Sequence, residues 1–392
     1  MATTCLLCTS TRLEKVQDQS LDIAGVGPCK LAFVVCADCG FLHQNPLVAP
    51  EGLAKHYELF SNYTIADPEA ARKASPAPHT RRLMALRRDA FPDARSIYEI
   101  GAAAGAALHA FKQDGLDVGG CDPSRTATAQ ASDIFGIALD RTDAEHAAKH
   151  AGRFDVVLMS HVLEHLRDPL QTLQRLRANM REGAGLLIEV PCATALELLP
   201  PGWFAFEHIS YFSPATLTAM LEAAGFEPLE YRINLRAFIY PVIAVAARTA
   251  APRPVKHSAV EIAEAVAFAH AVATREAALW SETSKRLEGI TGDVVIWGAG
   301  VHTSRLLADT PLARNATVTM IVDRDAQKWG RRQGPYTISA PAELRPGAGG
   351  PRIVISSFAF ESQIKDALLK MGVAPSRIVA LYEGRGASRK AA

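Results

Sequence analysis

Short apolar runs alternate with longer amphipathic stretches between residues 96 and 231 of the chain. Each apolar run is three to five residues long and is followed by turn residues, which is typical of buried strands. A regular alternation of strands and helices predicts a mostly parallel sheet with helical crossovers. We place strand cores at 97–100, 118–121, 137–139, 156–159 and 186–190, helices at 80–90, 170–180 and 216–224, and a further strand near 229–233.

A second, smaller α/β pattern lies nearer the C-terminus. Residues 248–253 have the composition of a linker, and the Ala- and Glu-rich stretch 258–287 predicts one long helix. From residue 293 another strand leads into a Gly-Ala-Gly turn, and strands at 318–322 and 352–356 follow. The fold class is therefore α/β, with two α/β units in one chain.

Composition excludes several classes of protein. The chain has 392 residues, 48% hydrophobic and 21% charged, with a net charge of +1. It has room for two or three domains and lacks the basic excess expected of a nucleic-acid-binding protein. The arginines of helix 80–90 indicate a solvated face rather than a phosphate site. The apolar stretch 238–247 is too short to span a bilayer, and the N-terminus does not begin a signal peptide, so we expect a cytoplasmic protein.

Four of the seven cysteines form two matched pairs. Cys5 and Cys8 make one Cys-x-x-Cys motif, Cys36 and Cys39 make another, and 27 residues separate the two motifs. In a reducing compartment this spacing predicts a structural zinc ion held by four thiolates, with no open position for catalysis. The alternatives are a redox motif, which does not explain a matched pair, and a nucleic-acid-binding ribbon, which would need more basic residues between the motifs.

The main chemical signal of the chain is the run 97–105, Ile-Tyr-Glu-Ile-Gly-Ala-Ala-Ala-Gly. Apolar residues lead through an acid into two glycines, and a helical stretch follows. Glycine lets the backbone approach a ligand, and the helix start presents free N–H groups. Asp122 ends the next strand, 23 residues after Glu99, where an acid commonly holds ribose hydroxyls. The pattern predicts a nucleotide-like cofactor; the alternative for Asp122 is a solvated strand-end acid.

Together with the loop after the fourth predicted strand, this turn resembles the class I S-adenosylmethionine-dependent methyltransferases. The resemblance covers about residues 80–235. It rests on Glu99-x-Gly101-x-x-x-Gly105, on Asp122, and on Phe154-Asp155-Val156-Val157 running into His161-Val162-Leu163-Glu164-His165. It implies a Rossmann-like methyltransferase core with S-adenosylmethionine as cofactor. The family usually has a third glycine in the turn, where this chain has Ala103, and we expect only a slight change in the turn.

The resemblance also implies which residues surround the cofactor. Gly101 and Gly105, with Ala103 between them, would lie against its methionine half, while Glu99 would order the turn and Asp122 would hold the ribose. Three more positions complete this set: Asp143 as a candidate for the adenine amino group, and Ser160 and His161 at the carboxyl end of strand four, beneath the sulfonium.

The whole layout resembles a narrower family, the bacterial sugar C-methyltransferases that act on nucleotide-linked ketosugars. That family has a Glu-His pair shortly after strand five, where this chain has Glu207 and His208, and the histidine is its proposed base. The chain departs from the family at Ala205, where a tyrosine is usual. In the strand-four loop, where the family has Cys-His-Ile-Pro, only His165 matches.

This layout divides the chain into four parts. Residues 1–75 would form a zinc-binding module with an aromatic lid segment that includes Tyr63 and Tyr57, and 76–247 the S-adenosylmethionine-binding domain. Residues 248–289 would form a helical linker, and 290–392 a C-terminal Rossmann-like domain on the substrate side. The implied substrate is a small molecule, a sugar nucleotide or saccharide.

The chemistry of methyl transfer explains why such residues are needed. A hydroxyl or an α-carbon is a poor nucleophile until it loses a proton, and a histidine can take that proton. Glu207 can orient His208 and favour its protonated form. Beside a carbonyl, the enolate oxygen needs a donor, for which Tyr63 and His165 are candidates. The alternatives are that Glu207 and His208 only satisfy backbone groups of a loop, and that His165 lies on a helix surface.

Three other functions stay open at this point. The first is an O-methyltransferase of a saccharide or natural product that uses the same residues. The second is an NAD-linked oxidoreductase built on Gly298-x-Gly300-x-x-Thr303 with Asp323, although the last glycine of that fingerprint is missing. The third is a non-catalytic zinc scaffold that keeps the methyltransferase fold.

Overall fold

The computed structural model describes residues 4–23, 27–53, 65–237 and 240–383, and within them it contains three β-sheets. The strands are β1 (Leu13–Ile23), β2 (Gly27–Cys36), β3 (Leu42–Gln44), β4 (Ser96–Ile100), β5 (Asp117–Cys121), β6 (Val156–Ser160), β7 (Gly185–Pro191), β8 (Ser210–Tyr211), β9 (Phe226–Asn234), β10 (Val242–Thr249), β11 (Gly292–Trp297), β12 (Ala316–Val322), β13 (Arg332–Gln333), β14 (Tyr336–Ser339), β15 (Arg352–Ile355) and β16 (Ile378–Val379). The α-helices with both ends among the described residues are α1 (Pro68–Lys73), α2 (Pro78–Ala90), α3 (Ala106–Gln113), α4 (Arg125–Phe135), α5 (Ala144–Ala147), α6 (Pro169–Asn179), α7 (Pro214–Ala224), α8 (Ala259–Glu288), α9 (Val301–Asp309), α10 (Leu312–Asn315) and α11 (Glu361–Lys370).

The central sheet has the strand order β5-β4-β6-β7-β10-β9. Strands β4 to β7 run parallel, and β10 runs antiparallel to both of its neighbours. The predicted parallel sheet with helical crossovers is therefore confirmed. Because the carboxyl ends of its parallel strands meet at one edge, the loops that follow β4, β5 and β6 lie together there.

One predicted strand of this sheet is wrong. Residues 137–139 form no ladder, and the contact with β5 is reduced to an isolated bridge between Cys121 and Asp140. Two backbone hydrogen bonds make this bridge, from Asp140 to Gly120 and from Asp122 to Asp140. Helix α4 runs to Phe135, so too few residues remain before the bridge for a longer pairing.

The other elements follow their sequence signals closely. Helix α7 begins with a capping box at Ser213 and ends at Gly225, which has a φ of 90°. Helix α8 begins with a second capping box, in which Ser258 and Glu261 bind each other's backbone N–H groups. The arginines of α2 differ from expectation, because Arg87 is buried and pairs with Asp114 at 2.6 Å.

The N-terminal sheet has the order β1-β2-β3-β8, with all pairs antiparallel. Its outer strand β8 comes from residues 210–211, so the segment that follows strand β7 completes the sheet of the cysteine-containing module. In that pairing Leu42 faces Tyr211 and His43 faces Ser210.

The second α/β pattern forms its own sheet, with the order β13-β14-β12-β11-β15-β16. Helix α8 connects it to the rest of the chain through buried Glu276. The carboxylate of Glu276 accepts hydrogen bonds from the backbone N–H of Gly202 at 2.8 Å and from Arg305 at 3.0 Å. Arg305 also lies over the ring of Trp280, 4.3 Å from its centroid.

In the described part of the chain, no helix combines the length and the apolar character that crossing a membrane requires.

Candidate functional site

The glycine turn after β4 holds three residues with positive φ: Gly101 at 76°, Ala103 at 48° and Gly105 at 79°. A Cβ at Gly101 would lie 2.4 Å from Cγ2 of Val162, in the loop after β6, so the turn and this loop are in close contact. Ala103, which replaces the usual third glycine, adopts the left-handed backbone that glycine takes without steric cost.

Asp122, at the end of β5, binds the same turn. Its Oδ2 accepts a hydrogen bond from the Ala103 N–H at 2.9 Å, and its Oδ1 accepts one from the Ser124 N–H at 2.8 Å. The residue is 8% exposed, and burial raises the pKa of its carboxyl. Asp122 is therefore not the solvated strand-end acid of the alternative interpretation.

Glu99 is the second buried acid beside the turn. Its Oε2 has no hydrogen-bond partner among the described residues, and burial together with the charge of Asp122 raises the pKa of Glu99 to about 8. A buried carboxylate oxygen without a donor is costly. The site therefore favours a ligand that brings a positive charge or an N–H donor, such as the amino group of S-adenosylmethionine, so Glu99 and the glycine turn fit this cofactor.

Asp143 precedes the first residue of helix α5, whereas Ser160 is the last residue of strand β6. The side chain of Asp143 is 57% exposed and caps α5, because its Oδ1 accepts a hydrogen bond from the His146 N–H at 2.9 Å. Ser160 is the last residue of β6, at the carboxyl edge of the sheet. One oxygen of Asp143 is thus engaged in a helix cap.

His161 follows β6 with a φ of 55° and lies between two buried carboxylates. Its Nδ1 is 3.3 Å from Oε1 of Glu164, and its Nε2 is 3.5 Å from Oε1 of Glu189. Burial alone would lower the pKa of His161, but the two carboxylates outweigh it and raise the pKa to about 10. Arg82 Nη2 donates to Glu189 at 3.1 Å and completes a line of alternating charges. His161 is therefore a cation at neutral pH.

His165 and His208 face each other beside this line, with ring centroids 5.0 Å apart. His165 Nδ1 donates to the backbone carbonyl of Glu207 at 2.8 Å, and its Nε2 lies 3.8 Å from Oε1 of Glu164. The side chain of His165 is 17% exposed, which contradicts a place on a helix surface. Burial, and then the charge of His165, lowers the pKa of His208 to about 4, so His208 is neutral near pH 7.

Gln44, at the end of β3, holds the loop that carries His208. The side chain is buried, and its Nε2 donates to the backbone carbonyls of Ala205 at 3.0 Å, Phe206 at 2.7 Å and His208 at 2.9 Å. The N-terminal sheet therefore fixes the backbone of this loop. At Ala205, where the narrower family has tyrosine, the backbone also binds the hydroxyl of Tyr211.

One ligand atom each from Glu164, His165 and His208 lies within 4.8 Å of the other two. Ligands around a tetrahedral ion with bonds of about 2.1 Å stand about 3.4 Å apart. Glu164 and His165 are already 3.8 Å apart, so the cluster is wider than such a metal site.

Sequence reasoning missed several residues of this site. Tyr240 lies between the histidines, with ring centroids 6.1 Å from His161 and 6.4 Å from His208. Glu189 is the one charged residue of the apolar run 186–190, and a buried acid at that place is a signal that could have identified it. No sequence signal marks Tyr240. The predicted lid residues Tyr63 and Tyr57 lie outside the described residues.

The C-terminal sheet repeats part of this geometry. Asp323 accepts hydrogen bonds from the Ala299 N–H at 2.8 Å and the Asp325 N–H at 2.9 Å, as Asp122 does from its own turn. Here, however, Lys328 Nζ also binds the turn, through the Ala299 carbonyl at 3.0 Å and the Asp323 carboxylate at 3.3 Å. A lysine therefore occupies the side of this acid that faces the turn.

The four cysteines of the paired motifs come together in the N-terminal module. The Sγ atoms of Cys5 and Cys39 are 3.6 Å apart, as are those of Cys8 and Cys36, and all four lie within 4.8 Å of one another. Sulfur ligands of a tetrahedral zinc ion stand about 3.8 Å apart, since each Zn–S bond is about 2.3 Å. The donor set and its spacing therefore fit zinc.

Comparison with known proteins agrees with this geometry. A family described as "Methyltransferase domain" matches residues 71–231. The C-methyltransferase NovU of Streptomyces niveus is 28% identical over 213 residues, which cover 52% of this chain and 48% of that protein. A ubiquinone biosynthesis O-methyltransferase of Ralstonia nicotianae is 27% identical over 158 residues, which cover 35% of this chain and 65% of the relative. The matches thus span about half to two thirds of these relatives.

Among solved structures, the chain is similar to the 1,6-didemethyltoxoflavin-N1-methyltransferase of Burkholderia thailandensis. The identity is 18% and the TM-score 0.41, over 61% of this chain and 99% of that protein. The match to the family model covers the strands, the glycine turn and the histidine loop described above. Residues 71–231 of the chain therefore form a methyltransferase domain.

Proposed function

We propose that this chain methylates a carbon atom of a sugar or sugar-nucleotide-like small molecule, with His208 as the general base. The observation that carries the proposal is the contact between the glycine turn at Gly101 and the loop of Val162, which joins the cofactor side to the cluster of His161, His165 and His208. A methyl donor on one side of this contact and an acceptor on the other would be adjacent.

On the cofactor side, S-adenosylmethionine supplies an electrophilic methyl group on a positively charged sulfur. The chain would hold it with the turn and the two acids beside it. Glu99 would receive the amino group with a buried oxygen that has no partner in the described ranges, and Asp122, at the end of β5, would hold the ribose. The complete proposed set is Glu99, Gly101, Ala103, Gly105, Asp122, Asp143, Ser160 and His161.

On the acceptor side, His208 is the histidine whose protonation state suits a base. His161 is held as a cation by two carboxylates, whereas burial keeps His208 neutral near pH 7. His208 would take the proton from a carbon beside a carbonyl, and the electrons of that C–H bond would move into an enolate. Proton transfer of this kind is typically worth about 10²- to 10⁴-fold in rate. His165 and Tyr63 are the proposed donors to the enolate oxygen, and Glu207 a proposed support of the base.

The relatives support carbon or oxygen as the methylated atom. One is a C-methyltransferase, and another is an O-methyltransferase of ubiquinone biosynthesis. O-methylation of a saccharide or natural product is therefore the second candidate. Wash-in of deuterium from D₂O at the acceptor carbon, without cofactor, separates the two because only the carbon reaction needs a C–H bond to break first.

The test uses the full chain and a panel of sugar nucleotides and saccharides with labelled S-adenosylmethionine. We expect a labelled product, and we expect His208→Ala to lower kcat at least 100-fold while calorimetric binding of S-adenosylhomocysteine is unchanged. His270→Ala is the matched control, since the side chain of this histidine is 48% exposed on α8 and lies beside Glu14. Unchanged turnover in His208→Ala would refute the base assignment, and no binding of S-adenosylhomocysteine would refute the proposal as a whole.

The remaining parts of the chain would support this reaction. We propose that the four cysteines hold a structural zinc ion, which metal analysis of the purified protein tests directly. The unit at 290–392 would form a wall of the substrate site and hold the nucleotide part of a sugar nucleotide. An NAD-linked oxidoreductase is the alternative from another class, because Asp323 binds the C-terminal glycine turn through the Ala299 N–H. Tight NAD binding without binding of S-adenosylhomocysteine would favour that alternative.

A further inference from the structure

Glu164 lies at the centre of the histidine cluster. It belongs to the single 3₁₀ turn Leu163–His165 that follows β6, and its side chain is 1% exposed. Its backbone carbonyl accepts a hydrogen bond from the Ile209 N–H at 2.8 Å, so this turn is fixed to the loop that carries His208. The residue is thus in a position to act on both histidines.

The carboxylate of Glu164 is only partly satisfied. Its Oε1 is 3.3 Å from His161 Nδ1 and 3.8 Å from His165 Nε2, whereas Oε2 is buried and has no hydrogen-bond partner within the described part of the chain. Burial alone would raise the pKa of Glu164, but the hydrogen bond from His161 and the nearby histidine charges lower it to about 2. The structure therefore holds an ionised, under-satisfied carboxylate next to the proposed base.

Basic and acidic side chains alternate along the cluster. Arg82 pairs with Glu189, and His161 lies between Glu189 and Glu164. A proton taken by His208 adds one positive charge in a buried site, where an uncompensated charge is costly. Among the described residues, Glu189 forms ion pairs with His161 and Arg82. The carboxylate of Glu164 instead lies 3.8 Å from His165 Nε2 and within 4.8 Å of a ring nitrogen of His208.

Glu207, the neighbour of His208 in sequence, acts differently. It contributes its backbone carbonyl to His165 Nδ1 and thereby leaves His165 Nε2 directed at Glu164. This hydrogen bond fixes the tautomer and the orientation of His165, in the way that carbonyls orient histidines in other sites. The carboxylate that lies beside His165 Nε2 is that of Glu164, at 3.8 Å.

We propose that Glu164 is the positioning carboxylate of the His165–His208 pair and stabilises the imidazolium that forms when His208 takes the proton from the acceptor. This inference rests on the function proposed above. Glu164 acts through the histidines and does not touch the acceptor. The charged groups that act on the pKa of His208 are His165, Glu164, Glu207 and His161. The rings of Tyr211 and Tyr240 also face His208.

The test compares Glu164→Gln with Glu207→Gln in the full chain. The glutamine keeps the shape of the side chain and removes its charge, so we expect kcat to fall roughly 10- to 100-fold, with KM for the acceptor and the affinity for S-adenosylhomocysteine within threefold of wild type. Glu164→Asp should recover part of kcat. Glu207→Gln should lose less, and Glu182→Gln, on an 80% exposed side chain, is the control.

A second measurement needs no acceptor and keeps the inference separate from the proposed function. ¹⁵N shifts of labelled histidine side chains give the protonated fraction of His208 at pH 5. This fraction should fall in Glu164→Gln by more than in Glu207→Gln, because the variant lacks the carboxylate charge that stabilises the His208 imidazolium in the wild type. An equal fraction in Glu164→Gln and wild type, or a kcat within threefold of wild type, would overturn the inference.

Discussion

Gly101 is the residue at which the structure makes the sharpest prediction. Its φ of 76° is left-handed, and a Cβ would lie 2.4 Å from Val162 Cγ2. Gly101→Ala therefore destabilises the folded state in two ways. An alanine in the left-handed backbone costs about 1–2 kcal/mol, and the shift that removes the overlap of its Cβ with Val162 costs about 1–3 kcal/mol. We expect the free energy of unfolding to fall by about 2–5 kcal/mol.

The chain supplies a matched control for the first of these costs. Gly115 has a φ of 89°, but no atom of the described residues lies within 4 Å of its added Cβ. Gly115→Ala should therefore lose only about 1–2 kcal/mol. Val162→Ala removes the Cγ2 atom, so in that background Gly101→Ala should cost no more than Gly115→Ala does. The two single variants and the double variant form a cycle that isolates the overlap.

Urea unfolding followed by circular dichroism measures these differences in unfolding free energy. All variants are fitted with one shared slope of unfolding free energy against urea concentration. Calorimetry with S-adenosylhomocysteine gives the functional consequence, and we expect at least a tenfold loss of affinity in Gly101→Ala because the turn must move. Equal destabilisation by Gly101→Ala and Gly115→Ala, or no rescue by Val162→Ala, would show that the turn and the loop after β6 are not in contact.

Three further predictions concern residues around the same site. Asp122→Asn should weaken binding of S-adenosylhomocysteine about 10- to 100-fold, because hydrogen bonds to a charged group are worth about 1.5–3 kcal/mol. Gln44→Leu should lower the free energy of unfolding by about 2–4 kcal/mol, since buried carbonyls lose their donor, and should lower kcat without changing cofactor affinity. For Glu99, folding raises the pKa from 4.5 to about 8, so the folded state binds the extra proton and loses stability as pH rises between these values. Glu99→Gln should remove that loss, which is about 1.4 kcal/mol per pH unit.

Each of these has a result that would count against it. Calorimetry that finds wild-type affinity in Asp122→Asn would show that this acid does not contribute to the cofactor site. A Gln44→Leu protein with normal stability and kcat would mean that the 205–208 loop holds its position without the amide. Parallel stability-against-pH curves for wild type and Glu99→Gln would contradict a raised pKa for this carboxyl.

The sequence was sufficient to predict the elements that local signals specify. Apolar runs marked the parallel strands, and the helices predicted at 216–224 and 258–287 lie close to α7 and α8 of the structure. The predicted strand at 137–139 failed because strand length depends on where the preceding helix stops, which periodicity does not reveal. The burial of Arg87 depends on Asp114, a partner that is distant in sequence.

The candidate site was only partly predictable for the same reason. The glycine turn and the two histidine loops have recognisable local motifs, so their residues could be named in advance. The carboxylates that set the charge of the histidines come from different strands and turns, and only their meeting in space makes Glu164 and Glu189 neighbours of His161. Gln44 belongs to the cysteine-containing module, and no local pattern connects it to a loop more than 150 residues away.

The pairing of β8 with β3 determines when the N-terminal module can finish folding. During synthesis the ribosome releases the cysteine motifs early, yet the edge of β3 stays open until residue 211 has emerged. An open strand edge is a template for association with other chains. A fragment cut near residue 75 would keep all four cysteines but lose both this strand and the three carbonyls that Gln44 binds. We therefore expect such a fragment to aggregate when it is expressed alone. The boundary at residue 75, which the sequence patterns suggest, is thus a poor place to divide the chain.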